Sequence, residues 1–232
     1  GFQLVEAMRV HGASRQQAQR RATELLARVR LEHPGRVMRQ YPHELSGGMR
    51  QRVMIAMALM SGPALLIADE PTTALDVTVQ AQTLSLLAEL QREMGMAMLL
   101  ITHDLGIVAE MADTVAVMYA GQIVETAPAA ELYRNPRHPY TRGLFASLPS
   151  RQQRGSDLVT LEGTVPDPLQ WPSGCRFESR CAERLAACSG TCPRFAPCPS
   201  GPDQVGAPRV RCLLYEGCFP ADAAQPTPEG AQ

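Results

Sequence analysis

Apolar positions in this chain follow a helical rhythm at first and then condense into short unbroken runs. Ala18, Ala22, Leu25, Leu26 and Val29 recur at helical spacing and predict a helix over 14–31 with Ser14 as its N-cap. A shorter helical pattern precedes it over 2–12. Pro34 and Pro42 punctuate the path to the next helix, Gly47 to Met60, whose Val53, Ile55, Ala56, Leu59 and Met60 are apolar. Leu65–Asp69 is a short apolar run that predicts a buried strand. Helix is expected again from Thr78 to about Met94, opened by Asp76 or Val77 and stopped at Gly95. Ala97–Thr102 predicts a second apolar strand, and Asp104 caps a helix running to about Ala112. Thr114–Tyr119 and Gln122–Thr126 predict a hairpin around Ala120-Gly121, and helices near Ala129–Arg134 and Tyr140–Leu148 follow.

Strands alternating with helices predict an α/β domain built on a mainly parallel sheet. Functional groups in such a domain sit at the carboxyl ends of the strands. Asp69-Glu70 and His103 occupy two such ends. The regular pattern stops near Pro149. From that residue onward lie twelve of the 19 prolines and all seven cysteines. Residues 151–173 are expected to be a linker or extended arm, and the Cys-rich stretch covers 174–219. The expected organisation is a helical subdomain over 1–62, a strand-and-helix core over 63–148, a Cys-rich extension over 149–219 and a disordered tail over 220–232.

Composition narrows the picture. The 232 residues, 45% hydrophobic, suffice for one or two domains with a real core. A formal net charge of -1 gives no global attraction to nucleic acid, and no nucleic-acid partner is expected. Residues 1–52 nevertheless hold ten Arg against four Glu. Solvated helix faces account for that excess; a surface near anionic lipid or RNA is the alternative. All 22 basic residues are Arg, a bias that resembles a GC-rich bacterial genome. No apolar run approaches the ~20 residues that span a bilayer, and no N-terminal signal segment is evident. The chain is expected to be soluble, with any membrane link made through partners.

Three groups of residues carry candidate chemistry. In Leu45-Ser46-Gly47-Gly48-Met49-Arg50-Gln51-Arg52, Ser46 can cap a helix and two glycines allow close backbone approach to a ligand. The helix start offers unpaired N–H groups, so the segment has the makings of an anion cradle. Twenty-three residues after Ser46, the strand ending in Asp69-Glu70 delivers adjacent carboxylates. Phosphoryl transfer needs a metal ion to neutralise charge and a group to orient the attacking water, and these two carboxylates suit those tasks. His103 follows the second strand, 33 residues after Glu70. Each feature alone has a bland explanation: a helix start, a strand exit, a structural histidine.

Taken together, with Pro71-Thr72-Thr73-Ala74-Leu75-Asp76 and Ile101-Thr102-His103-Asp104, they resemble the signature, Walker B and switch-histidine motifs of ATP-binding-cassette ATPases. Tyr41-Pro42-His43-Glu44, the run Met49 to Leu59, the segment Asp69 to Gln82 and Asn135-Pro136-Arg137-His138-Pro139-Tyr140-Thr141 are similar to the ATPases of oligopeptide and dipeptide importers. The resemblance extends to about Tyr215. It implies a nucleotide-binding domain of that class that uses ATP and Mg2+. Asp69 would hold Mg2+, Glu70 would be the general base and His103 would contact the γ-phosphate. Ser46, Gly47, Gly48, Gln51 and Asp76 would bind nucleotide, with the signature serving ATP held by a partner subunit. The implied partners are a second ATPase subunit in a homo- or heterodimer, two transmembrane permease subunits and, indirectly, an extracytoplasmic peptide-binding protein. The implied location is the cytoplasmic face of the bacterial inner membrane. No G-x-x-x-x-G-K-S/T loop occurs, and the chain has no lysine. The resemblance therefore implies that the phosphate-cradling loop and the glutamine loop lie upstream of Gly1, and that this chain alone is inactive. A non-catalytic regulatory or interaction fragment is the alternative. Chromosome-maintenance and repair ATPases share the signature and Walker B but lack the Asn135–Thr141 segment and the Cys-rich tail.

The cysteines add a separate signal. Cys175-x5-Cys181-x6-Cys188 is followed by Cys212. Four thiolates from a loop-rich segment suit a 4Fe–4S cluster or tetrahedral zinc. The tail of peptide-importer ATPases resembles this spacing, and some members carry an iron–sulfur cluster there. A set of free thiols is the alternative to either metal. Disulfides are disfavoured in a reducing cytoplasm. Cys192, Cys198 and Cys218 are surplus, and Cys192 could replace Cys188 as a ligand.

Overall fold

A computed structural model of the chain describes residues 1–73, 75–148, 160–198 and 207–215. The expected tail over 220–232, Cys218 and residues 151–159 of the expected linker lie outside the described residues. The chain divides into two compact units, Gly1–Ile107 and Val108–Gln232.

The first unit starts with helices α1 (Phe2–Arg9), α2 (Arg15–Arg28), the short α3 (Pro34–Val37) and α4 (Gly47–Ala58). Ser14 and Gln17 form a reciprocal capping box that starts α2. Ala18, Ala22, Leu25 and Leu26 of α2 are fully buried with Leu4 of α1 and Ala56 of α4. Arg52, a signature residue, reaches from α4 to the carbonyls of Val29 (3.1 Å) and Arg30 (3.3 Å), closing the C-terminus of α2.

Strand β1 (Leu65–Asp69) then runs parallel to β2 (Ala97–Ile101), with Leu65 opposite Ala97 and Asp69 opposite Ile101. The crossover between them is α5 (Val77–Met94), capped by Asp76 and ended by Gly95 in the left-handed region at φ +63°. Helix α6 (Leu105–Met111) follows β2. Both β1 and β2 are apolar, but only one face of β1 is buried. Leu66 and Ala68 are enclosed, whereas Leu65, Ile67, Leu99 and Ile101 are 44–61% exposed. The expectation of a fully buried strand is corrected to this extent. Parallel strands are normally covered on both faces, and the described residues cover one.

The second unit contains β3 (Thr114–Tyr119), β4 (Gln122–Pro128), α7 (Ala129–Arg134), α8 (Pro139–Ala146), β5 (Phe195–Pro197) and β6 (Arg209–Arg211). Its sheet has the order β3-β4-β6-β5 and is antiparallel throughout. The mainly parallel sheet expected from the sequence is therefore confined to two strands. The hairpin turn explains part of the difference: Ala120 and Gly121 both adopt positive φ (+47° and +75°), the geometry that matches strand twist in two-residue hairpins. The short tail strands β5 and β6 supply the rest.

A buried carboxylate organises this unit. Glu125 of β4 has 0% exposure. Its two oxygens accept the main-chain N–H groups of Arg137 (2.7 Å) and His138 (2.9 Å). The His138 ring is itself buried and accepts the Tyr140 N–H at Nδ1 (3.0 Å), capping α8. Burial pushes its pKa down to about 4, with the Arg142 charge acting in the same direction and a bond to the Arg211 main chain opposing. Phe177 inserts its ring among Tyr119, Tyr140 and His138, with centroids 5.1, 5.4 and 5.7 Å away. That aromatic cluster anchors the Cys-rich segment to the hairpin and α8.

Two outcomes follow for this unit. Glu125→Ala leaves two buried amides unpaired and should cost about 2–6 kcal/mol, read from the urea midpoint, with faster hydrogen exchange at Arg137 and His138. A change under ~0.5 kcal/mol with both amides still protected would contradict it. His138 has its folded pKa below the unfolded one, so its contribution is complete above pH 6.5 and declines as pH falls toward about 4. His138→Gln should flatten that decline in a series of melts from neutral to acidic pH.

Candidate functional site

The parallel register of β1 and β2 sets one site. Because Asp69 lies opposite Ile101, the residues that leave the two strands emerge side by side. The Glu70 N–H continues the ladder to the Ile101 carbonyl at 2.9 Å. Glu70 itself sits at φ +46°, a left-handed conformation that costs a non-glycine residue about 1 kcal/mol or more. That turn swings its carboxylate toward His103. Glu70 Oε1 lies 2.7 Å from His103 Nδ1, and Glu70 Oε2 accepts the Thr73 hydroxyl at 3.1 Å. The bond to His103 is the main cause that lowers the Glu70 pKa, and the same bond and charge raise that of His103. The pair is open to solvent: the His103 side chain is 84% exposed and that of Glu70 is 36% exposed. With Nδ1 occupied, His103 presents Nε2 outward. Asp69 stands exposed at the end of β1 next to this pair.

The start of α4 forms the neighbouring part. Ser46 is its N-cap, and Ser46 Oγ accepts the Met49 N–H at 3.3 Å. Ser46 and Gly47 are exposed, and Gly48 is half-buried. A Cβ on Gly48 would lie 3.2 Å from Val79 Cγ1, so the first turns of α4 and α5 approach closely there. Gln51 Nε2 donates to the Pro71 carbonyl at 2.6 Å, tying α4 to the loop that follows Glu70. Asp76 Oδ1 accepts the Val79 N–H at 2.9 Å, which makes it the cap of α5. Ser46, Gly48, Gln51, Glu70, Asp76 and His103 are thus linked through two helix starts and two strand ends. Asp104 performs the same local task for α6, accepting from Gly106 (2.8 Å) and Ile107 (3.3 Å).

Cys175, Cys181, Cys188 and Cys212 all lie in the second unit as free thiols. Burial pushes the Cys212 thiol up to about 12, the Leu214 N–H opposes, and the Cys175, Cys181 and Cys188 sulfurs add to the rise. Burial also raises Cys175 and Cys181, each opposed by an N–H donor, from Phe177 and Glu183 respectively. In these three cases the donor is two residues beyond the cysteine. Cys188 Sγ accepts the Leu185 N–H at 3.4 Å. The Cys175 N–H binds the Cys188 carbonyl at 2.8 Å, and Gly174 is required beside it, since a Cβ there would collide with that carbonyl. Cys192 is exposed and stands near Cys175. Cys198 packs against Val210 and Cys212, with Arg137 and Glu125 as charged neighbours. Among the described residues, no group of three or more His, Cys, Asp or Glu stands in metal-coordinating positions.

Sequence patterns gave no sign of the roles of Glu125, Arg137, His138 and Arg142. A charged residue in a strand and two in a Pro-flanked loop look like surface. The one local signal is the Pro-flanked segment Asn135–Thr141, whose pattern carries no physical reason for burial.

Comparison with known proteins adds an independent line. Residues 2–73 match the family model "ABC transporter" and residues 124–188 match "Oligopeptide/dipeptide transporter, C-terminal region". A Brucella melitensis protein, provisionally named a peptide import ATP-binding protein, is 55% identical over 203 residues, covering 84% of this chain and 60% of the relative. The Bacillus subtilis oligopeptide transport ATP-binding protein AppD is 48% identical over 217 residues, covering 93% of this chain and 64% of AppD. The chain thus spans less than two thirds of the length of these relatives. Among solved structures, a transporter described as an ABC transporter of metal-chelate type, in an inward-facing conformation, matches with a TM-score of 0.52 at 23% identity. The match covers 62% of this chain and 55% of that one. The likeness concerns the fold alone. Among the described residues no helix is long and apolar enough to cross a membrane.

The Glu70–His103 bond has a pH signature. Its contribution is complete between the usual carboxylate and imidazole ranges. It is lost as pH rises through the raised His103 pKa, and as pH falls through the lowered Glu70 pKa. NMR titration of the His103 ring should show protonation persisting above pH 6.5, and Glu70→Gln should bring the midpoint back down. An unchanged midpoint in Glu70→Gln would mean that the pair does not persist in solution.

Proposed function

Because the chain belongs to the ABC transporter ATP-binding proteins that carry the oligopeptide/dipeptide transporter C-terminal region, we propose that it is the signature-bearing part of an ATPase that powers import of di- and oligopeptides across the bacterial cytoplasmic membrane. The observation that carries this proposal is the Glu70–His103 pair at the ends of adjacent parallel strands. Phosphoryl transfer is mostly positioning and charge stabilisation. Asp69 holds Mg2+, which neutralises phosphate charge. Glu70 orients the attacking water and takes its proton. His103 contacts the γ-phosphate through the outward Nε2, a role supported by its exposure. Ser46, Gly47 and Gly48 present the N-terminus of α4 to phosphate, Gln51 holds that helix to the Glu70 loop, and Asp76 fixes the start of α5 beside it.

No phosphate-binding loop occurs among these 232 residues, which hold no lysine to serve one. The composite site closes when a second ATPase subunit brings its loop to this signature. Two permease subunits form the membrane path, an extracytoplasmic binding protein delivers peptide, and the ATPase sits on the cytoplasmic face. The signature helices over 1–62 and the strand-end residues over 63–148 form the catalytic part, with 149–219 as an extension and 220–232 as its tail.

The four thiols Cys175, Cys181, Cys188 and Cys212 hold a 4Fe–4S cluster, with zinc as the alternative. The spacing of the four cysteines along the chain supports this reading, although among the described residues they do not stand in metal-coordinating positions.

Hydrolysis assays test the first proposal. The isolated chain should show no Mg-dependent ATP turnover. In a protein that joins these residues to a phosphate-binding loop, Glu70→Gln should lower turnover by about 100-fold or more while ATP still closes the dimer. Turnover near wild-type in Glu70→Gln would overturn the general-base role. No hydrolysis even with the loop present would favour a non-catalytic interaction module. Iron, sulfide and zinc analysis after anaerobic purification tests the second. Ser at Cys175, Cys181, Cys188 or Cys212 should strip the metal, and Ser at Cys198 or Cys218 should not. Absence of metal would eliminate both cluster and zinc.

A further inference from the structure

Glu70 is gripped on both sides by different elements. On its N-terminal side, its own N–H stays in the β1–β2 ladder through the Ile101 carbonyl at 2.9 Å. On its C-terminal side, the Pro71 carbonyl accepts Gln51 Nε2 at 2.6 Å, a bond that comes from α4. Between these anchors Glu70 adopts φ +46°. That conformation is unfavourable twice over: the residue lacks the freedom of glycine, and a residue before proline is pushed toward extended backbone. Pro71 adds stiffness, since its ring fixes its own φ and the peptide bond joining it to Glu70 is planar. With the Glu70 N–H and the Pro71 carbonyl both tied down, little rotation is left at Glu70 itself. The carboxylate is thereby aimed at His103 Nδ1 (2.7 Å) and the Thr73 hydroxyl (3.1 Å).

Helix α4 is a firm base for that bond. Arg52, the next residue, donates to the Val29 and Arg30 carbonyls at the end of α2. At Gly48 the helix meets Val79 of α5 so closely that a Cβ would lie 3.2 Å from Val79 Cγ1. From the Ser46 cap to Gln51 the helix rises only about 7.5 Å. We propose that Gln51 is a positioning residue for Glu70: its side-chain amide, carried on the helix that begins at Ser46, fixes the Pro71 carbonyl and with it the left-handed turn that aims the Glu70 carboxylate. The inference rests on the ATPase reading given above. Gln51 then acts on phosphoryl transfer through Glu70, in contrast to the nucleotide contact that the family resemblance implies. It also joins two sites. Ser46, Gly47 and Gly48 face the nucleotide of the partner subunit, whereas Glu70 serves the nucleotide on its own side, so a shift of α4 reaches the base through one hydrogen bond.

The test uses Gln51→Glu, which keeps the side chain's length and removes its N–H donors, and Gln51→Ala, which removes both. In the 232-residue chain, amide hydrogen exchange at Glu70 and Thr73 should be about tenfold faster in both variants. Amides in the middle of α2 and α5 should keep their wild-type rates. In a protein that joins these residues to a phosphate-binding loop, kcat should fall about tenfold or more while the KM for ATP changes less than about twofold. A merely structural role would speed exchange throughout α4 and lower the melting temperature without separating kcat from KM. A raised KM at wild-type kcat would make Gln51 a nucleotide contact and overturn the positioning role. Wild-type kcat in Gln51→Glu would overturn it as well and leave the ATPase reading standing. If the wild-type protein with its loop does not hydrolyse ATP, the ATPase reading fails and this inference fails with it.

Discussion

The parallel pairing of β1 with β2 is the constraint on which the first unit depends. A ladder of five residue pairs, ending at Asp69 opposite Ile101, leaves no freedom in where the chain exits each strand. A slip of one residue would turn Glu70 or His103 to the other face, because side chains alternate along a strand. The left-handed turn at Glu70 is tolerated because its N–H remains in the ladder and its carboxylate gains two side-chain partners. Strain at that position and register at the strand are parts of one arrangement. Arg52 and Gln51, adjacent on α4, extend it in opposite directions, to the end of α2 and to the loop after Glu70.

In the second unit the corresponding constraint is the pairing of Glu125 with two consecutive amides. Pro136 and Pro139 flank those amides and cannot donate hydrogen bonds themselves. Without the carboxylate, the Arg137 and His138 amides would enter the interior unpaired. With it, His138 is placed to cap α8 and Thr141 and Phe145 are aligned inward. The tail then docks through Phe177, while Arg211 fastens β6 by donating to the Ile123 (3.0 Å) and Pro193 (3.1 Å) carbonyls. Arg176 does the same for the hairpin turn, donating to the Ala120 carbonyl at 2.5 Å while stacking on Trp171.

Much of the fold was legible because its signals are local. Ser14, Ser46, Asp76 and Asp104 each cap a helix with a side chain two or three residues from its target. Gly95 and Ala120-Gly121 stop or reverse the chain through their own backbone conformation. The strand-end residues were legible because a short apolar run followed by carboxylates needs no tertiary knowledge. Long-range pairing was hidden. Strands of three residues, such as β5 and β6, carry no periodicity, and only their partners give them structure. Glu125 is a charged residue in a short strand, and nothing local marks it as buried. Its burial depends on amides twelve and thirteen positions away. The open face of β1 and β2 was hidden for the opposite reason: the pattern reports that both faces are apolar, and not what covers them.

The carboxylates of Glu125 and Glu70 differ in what holds them. Glu125 is held by main-chain N–H groups. Main-chain donors cannot rotate away without moving the chain, so this acceptor keeps a fixed position and suits a structural carboxylate. Glu70 is held instead by the side chains of Thr73 and His103. Each of those bonds can be exchanged by a rotamer change, at a net cost near that of an ordinary hydrogen bond, about 1 kcal/mol. While both bonds are made, the lowered pKa makes Glu70 a poorer base. An anion that draws His103 away would raise the basicity of Glu70 and free one oxygen at the same moment. The Glu70 carboxylate is thereby free to respond to a change at His103, whereas Glu125 is not.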